Sequence, residues 1–258
     1  MRFSTTTTTL LAASVASAAP VWPSISLGNV RNPFAALDNL SGYFNAVATK
    51  VAQAKVISVA PQCDPTKARM PTIDGLPGSS PGLHVRHVAV GRGTQNYTCA
   101  GSKPEDAPKA VGAVATLFDV TCMASLYPDV TNRVPGMAVH FNMDDSDRLG
   151  PSTLPISGHH FFTGSGVPFF NLDTATGDIG LAPCAKNASV AAPADAPVGQ
   201  NGEAAVAWLK LTTIDGATGN LKDVFRVETA GGSPPKTCQG QPDHIEVEYS
   251  AQYWFWAS

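Results

Sequence analysis

The sequence predicts a mainly β domain, a single sandwich or partly closed barrel, preceded by an amphipathic helix. Three observations predict it. The last stretch alternates strictly, with Ile245, Val247, Tyr249, Ala251, Tyr253 and Phe255 on one face and Glu246, Glu248, Ser250 and Gln252 on the other. Two strand-length runs, Trp208 to Ile214 and Leu221 to Glu228, flank the turn residues Asp215-Gly216-Ala217-Thr218-Gly219 and read as a hairpin. Short β signals separated by Pro/Gly-rich connections at 71–82, 128–158, 182–202 and 231–242 favour a sandwich or barrel over alternating α/β.

The elements follow in chain order. Arg2, a Thr-rich stretch, the apolar run Leu10 to Ala16 and the small residues Ala16-Ser17-Ala18 have the order of a signal peptide, expected to occupy residues 1–18. The run is shorter than the ~20 apolar residues that span a bilayer. Residues 19–60 are expected to hold a linker and the helix, and residues 61–258 the β-rich domain. Asn32 can cap the helix and Pro33 can fill its first turn, where a missing N–H does no harm. Phe34, Leu37, Ser41, Phe44, Ala48 and Val51 recur at spacings of three and four, an apolar stripe expected to pack on its own domain. Leu83 to Tyr97 and the Ala/Val-rich run Val111 to Val120 read as strands. Ala188 to Gly202 reads as a surface loop.

Composition bounds the partners. The net charge is −3, 14% of residues are charged and 43% are hydrophobic, as in a compact globular protein without a basic surface for nucleic acid. Asn39, Asn96 and Asn187 each begin an Asn-x-Ser/Thr sequon, the acceptor pattern for surface glycans in the secretory route. The C-terminus lacks the polar spacer and long apolar tail of a glycolipid anchor, so the expected product is secreted and released. Five cysteines, Cys63, Cys99, Cys122, Cys184 and Cys238, count in an oxidising compartment as two disulfides and one thiol.

Candidate chemistry is sparse. His87, His140, His159 and His160 are the candidate catalytic histidines, since imidazole ligates metals and moves protons near neutral pH. His159 and His160 are adjacent and point to opposite faces of a strand, and no zinc-ligand spacing occurs, so ordinary packing is the competing role and no metal or cofactor is expected. Asp144-Asp145-Ser146-Asp147 lacks the glycine and distal glutamate of a calcium loop. Gly164-Ser165-Gly166 is too short for a nucleophile elbow and reads as a loop tip. Glu246 and Glu248 read as a solvated pair. Trp254 and Trp256 share one side of the last strand and are the candidate ligand-binding residues, able to stack on sugar rings or to serve as core.

Gly91-Arg92-Gly93-Thr94-Gln95-Asn96-Tyr97-Thr98-Cys99 resembles the signature of a secreted fungal family filed as domain of unknown function 3455. The resemblance continues through Gly112 to Asp119, Gly158-His159-His160-Phe161-Phe162, Trp208 to Leu211, Arg226 to Gly232, Cys238 and Tyr253-Trp254-Phe255. It implies no established activity. Members are often labelled malate dehydrogenase, but Gly91 to Asn96 lacks the third glycine of a dinucleotide fingerprint and leads into a strand. In the family pattern Cys63, Cys99, Cys122 and Cys238 have counterparts and Cys184 is extra. The pairing expected alongside is Cys99 with Cys122 and Cys63 with Cys238, although spacing does not fix connectivity. The leading expectation is a non-catalytic extracellular module for cell-wall or host polysaccharide. The alternative is a metal-assisted extracellular enzyme using a His/Asp site.

Overall fold

A computed structural model describes residues 32–54, 63–143, 148–175 and 177–258. The expected signal peptide, the linker up to residue 31 and the Asp144–Asp147 cluster lie outside the described residues.

Eight antiparallel strands form a closed barrel in sequence order: β1 (His84–Thr98), β2 (Lys109–Asp119), β3 (Ile156–Phe162), β4 (Pro168–Thr174), β5 (Gly177–Val190), β6 (Trp208–Thr213), β7 (Leu221–Gly231) and β8 (His244–Ala257). The long terminal strands close it, β1 pairing with β8 from His84↔Ala257 to Thr98↔His244. Closure removes exposed sheet edges. The Gly91-Arg92-Gly93 motif lies mid-strand in β1, with β2 following. A Cβ on Gly91 would sit 2.6 Å from the Tyr253 ring, and one on Gly93 would sit 1.8 Å from the Val114 carbonyl oxygen. These glycines allow close packing within the barrel wall, and no helix follows them to hold a pyrophosphate.

There are two cores. The lumen holds the alternating face of β8 (Tyr249, Tyr253, Phe255) with Leu117, Phe170, Leu211 and Val224. The outer faces of β1, β7 and β8 are also covered, by residues 64–78 and by α2 (Thr121–Leu126), α3 (Pro128–Thr131) and α4 (Val134–Ala138). Val88, Phe118, Val134, Phe225 and Trp254 form this second core. The stretch 128–158, expected as a connection, therefore carries helices that seal the barrel. Residues 182–190, also expected as connection, are the second half of β5; its register runs from Cys184↔Thr213 to Val190↔Trp208.

The N-terminal helix α1 (Pro33–Ala54) starts where the sequence places it, and the Asn32 side chain accepts from the Ala35 N–H at 3.3 Å. Its buried face differs from the expected one. Phe34 and Val51 are 79% and 53% exposed, and Leu37 and Phe44 are also exposed. The packed face carries Asn39, Tyr43 and Lys50, also at helical spacing. Lys50 pairs with Asp129 at 2.8 Å, and the small Gly42 lets the Arg133 guanidinium approach. Polar contacts to α3 and α4 orient this helix, and they override the apolar periodicity.

The disulfides are Cys63–Cys122 and Cys99–Cys238, so the expected pairing is corrected while Cys184 remains the thiol. Geometry explains the exchange. Cys99 follows the end of β1 at the barrel end where β2 begins, whereas Cys122 follows the end of β2. The eleven residues of β2 separate them by about 35 Å at ~3.3 Å per residue. A disulfide tolerates at most ~7 Å between Cα atoms. Cys238 lies in the connection into β8, beside the end of β1, where the Cys99 N–H donates to the Asp243 carbonyl at 2.9 Å. Cys184 points into the lumen, and burial pushes its thiol up to about 12, so it is not a poised nucleophile.

Candidate functional site

The four candidate histidines do not converge. His159 is exposed on the outside of β3, while His160 is in the lumen, stacked on Phe170 at 4.2 Å with Nδ1 3.0 Å from the Phe169 carbonyl. His87 lies further along the lumen against Phe255. Its Nε2 is 2.9 Å from Ser157 Oγ, and its Nδ1 is 3.0 Å from Thr121 Oγ1 and 3.7 Å from the Asp119 carboxylate. That order of groups resembles a catalytic triad, but Ser157 is 7% and His87 2% exposed, so the cluster is a closed strut between β1 and β3. His140 follows α4 outside the barrel, 3.5 Å from Asn39 Nδ2. The alternation of β3 puts His159 outside the wall and His160 inside it, His87 shares the lumen, and His140 lies outside on the chain after α4. Among the described residues no group of three or more His, Cys, Asp or Glu side chains is placed to hold a metal ion.

The buried imidazoles make the fold acid-sensitive. Burial, with a smaller push from Arg226, holds His160 down at about 4 against the opposing Phe169 hydrogen bond; burial also lowers His87. An unfolded histidine titrates near ~6.5. Between these values the unfolded chain binds a proton that the native chain refuses. The contribution is therefore complete above pH ~6.5 and is lost as pH falls toward 4, up to about 3 kcal/mol for His160. Urea-unfolding midpoints between pH 7.5 and 4 should fall less steeply for His160→Phe than for the wild type. Equal slopes would mean that His160 titrates normally.

Trp254 and Trp256 do not form one platform. Trp254 is 1% exposed in the outer core, and its Nε1 donates to Gln252 Oε1 at 2.9 Å, which corrects its expected ligand-binding role. Trp256 is half-buried and lines a groove of about 550 Å³ with Arg69, Ser79, His84 and Phe225. Of the two glutamates of β8, Glu246 is exposed as expected, whereas Glu248 pairs with the buried Arg92 guanidinium and accepts from Gln200 Nε2 at 2.6 Å.

A second cleft, about 470 Å³, opens where α1, α3, α4 and residues 193–197 meet the outer face of β6 and β7. Asn132, Arg133, Asp195, Trp208 and Glu228 line it. The register of β7 against β8 breaks between Val227 and Ala230, and at this bulge Glu228 adopts φ 47°, left-handed backbone that L side chains avoid. Bulges re-aim side chains, and such strain collects at functional positions. Burial raises the Glu228 carboxyl, Arg133 opposes that shift, and Asp195 adds to it. The neighbours are fixed. Trp208 Nε1 donates to Thr229 Oγ1 at 3.1 Å, Thr229 donates to the Val206 carbonyl at 2.6 Å, and Gln252 Nε2 donates to Asn132 Oδ1 at 3.1 Å.

Residues 79–257 match the family described as Protein of unknown function (DUF3455). The chain belongs to that family. No curated protein and no solved structure matches the chain. The match covers the whole barrel of this DUF3455 protein and Glu228, Trp208, Arg133 and Asp195 of the cleft, but not α1. None of these four was singled out as a site residue in the sequence. The one signal was Gly231-Gly232 just after Glu228, a mark of irregular backbone at the end of a strand.

Glu228→Gly tests the strain directly. Glycine adopts left-handed backbone without penalty, and the relief of about 1 kcal/mol should raise Tm by roughly 2–4 °C. A lower Tm would show that the Glu228 side chain contributes more than its backbone costs.

Proposed function

We propose that this DUF3455 protein is a secreted, glycosylated extracellular module that binds a cell-wall or host saccharide in the Trp208–Glu228 cleft. The observation that carries the reading is Glu228, a half-buried carboxyl held at a strained bulge in an open polar cleft. Sugars present hydroxyls for planar polar groups and apolar C–H faces for aromatic ones. Asn132, Arg133, Asp195 and Glu228 supply the first, and the small uncovered edge of Trp208, 8% exposed, supplies the second. Secretion is supported by the signal-peptide pattern, the sequons at Asn96 and at the exposed Asn187, and two disulfides, whereas Asn39 lies on the packed face of α1 against His140. No described helix is long and apolar enough to cross a membrane. Among the described residues the histidines of the metal-assisted alternative lie apart, so the cleft carries the reading.

Incubation of the secreted protein with insoluble chitin, β-glucan and cellulose provides the test. Depletion from the supernatant by at least one of them, weakened at least tenfold by Arg133→Ala, is the expected result. Full recovery from all three would overturn the saccharide reading for these polymers.

A further inference from the structure

We infer that the cleft also hydrolyses the saccharide it holds, with Glu228 as proton donor to the glycosidic oxygen and Asp195 as the base that activates water. This rests on the saccharide reading above and adds turnover to it.

The two carboxyl groups share one cleft but not one environment. Glu228 is half-buried in the wall, with no hydrogen bond or ion pair among the described residues. Asp195 is exposed at the rim, on the 193–197 segment. The third cleft carboxylate, Asp129, is taken by Lys50 at 2.8 Å. A pair of carboxyls whose surroundings favour opposite protonation states can divide acid and base roles. Burial raises the Glu228 carboxyl, Arg133 opposes that shift, and the negative charge of Asp195 adds to it. Arg133 lines the same cleft and opposes the shift at Glu228, and the uncovered edge of Trp208, a ring held through Thr229, borders it.

The step balances with water as the sole co-reactant. The Glu228 proton passes to the glycosidic oxygen as the bond from that oxygen to the anomeric carbon breaks, and the bonding pair leaves with the oxygen. Water attacks the anomeric carbon and gives its proton to Asp195. Exchange with solvent then reloads Glu228 and clears Asp195.

The test follows reducing-end release from soluble chitin, β-glucan and cellulose oligosaccharides, with binding followed in parallel by titration calorimetry. Glu228→Gln keeps the shape and cannot donate a proton. It should keep measurable binding, within about tenfold of the wild type, and release sugar at least about 100-fold more slowly. On an aryl glycoside whose phenolate leaves without a proton, the same variant should lose less than about tenfold, a split that a merely structural role would not produce. Asp195→Asn should be slow on both. The wild-type rate should fall on the alkaline side only above the usual glutamate range. Binding without release by the wild type would overturn hydrolysis and leave the saccharide reading standing. Release that Glu228→Gln leaves unchanged would overturn the assignment of Glu228. Absence of both binding and release would overturn this inference together with the saccharide reading.

Discussion

Replacing both Cys99 and Cys238 with serine should destabilise the protein by about 5 kcal/mol. The bridge closes a loop of sequence separation 139, and chain-entropy arguments give about that value for a loop of this length. Single domains have only ~5–15 kcal/mol in total. The double variant should therefore be largely unfolded at 37 °C or survive only in stabilising conditions. Position adds to loop length. Cys99 and Cys238 are 7% and 0% exposed, and the Cys238 N–H donates to the Asp106 carbonyl at 2.7 Å, so the bridge fixes the turn from β1 to β2 against the entry to β8. Those strands close the barrel. The Cys63–Cys122 bridge has a separation of 59 and two exposed cysteines, and it ties the covering segments together. Its loss should cost less, about 4 kcal/mol at most by the same arithmetic, and should leave the barrel closed. Guanidinium unfolding of the two serine pairs, beside mapping of the native linkages, checks both. Equal costs, or a Cys99–Cys122 peptide, would contradict the assignment.

Trp254→Ala should cost about 3–5 kcal/mol and leave saccharide affinity largely unchanged in the protein that remains folded. A stacking platform would behave in the opposite way. Trp254 fills the outer core beside Phe225 and Val134, and its truncation leaves a cavity there. It also strands Gln252, whose Oε1 accepts from the indole while its Nε2 donates to Asn132. Trp254→Phe, which keeps most of the volume but leaves a buried acceptor unpaired, should cost about 1–3 kcal/mol. Urea unfolding of the three proteins separates the readings. An alanine variant of native stability would place Trp254 at the surface.

Much of the barrel is legible in the sequence because its signals are local. The lumen needs one face of β8, and strict alternation announces it. The Trp208 to Glu228 hairpin is marked by its turn residues. The other face of β8 misleads: Ser250 and Gln252 belong to its polar alternation, yet both are 0% exposed. They are tolerated because Ser250 Oγ donates to the Gly91 carbonyl at 2.9 Å and Gln252 bridges Trp254 to Asn132. The covering layer that buries them comes from distant segments and leaves no mark on β8 itself. Strands β3, β4 and β5 are obscured by Gly158, Pro168, Gly180 and Pro183, residues that resemble connections until their neighbours are known. The helix α1 shows a further limit, since an apolar stripe reveals a helix but not which face its partners take. The cleft is hidden for the same reason as the covering layer. Asn132, Arg133, Asp195, Trp208 and Glu228 come from separate segments, and only the folded chain brings them together.

The most direct measurement of the central claim is calorimetric titration of chitin, β-glucan and cellulose oligosaccharides into the wild type and into Glu228→Gly. Saturable binding by at least one series, weakened tenfold or more in a glycine variant that is itself more heat-stable, is the predicted result. It would mean that Glu228 trades fold stability for a ligand in the cleft. Binding of equal strength in the two proteins, or no binding by either, would contradict the account and leave the strained bulge without a functional reason.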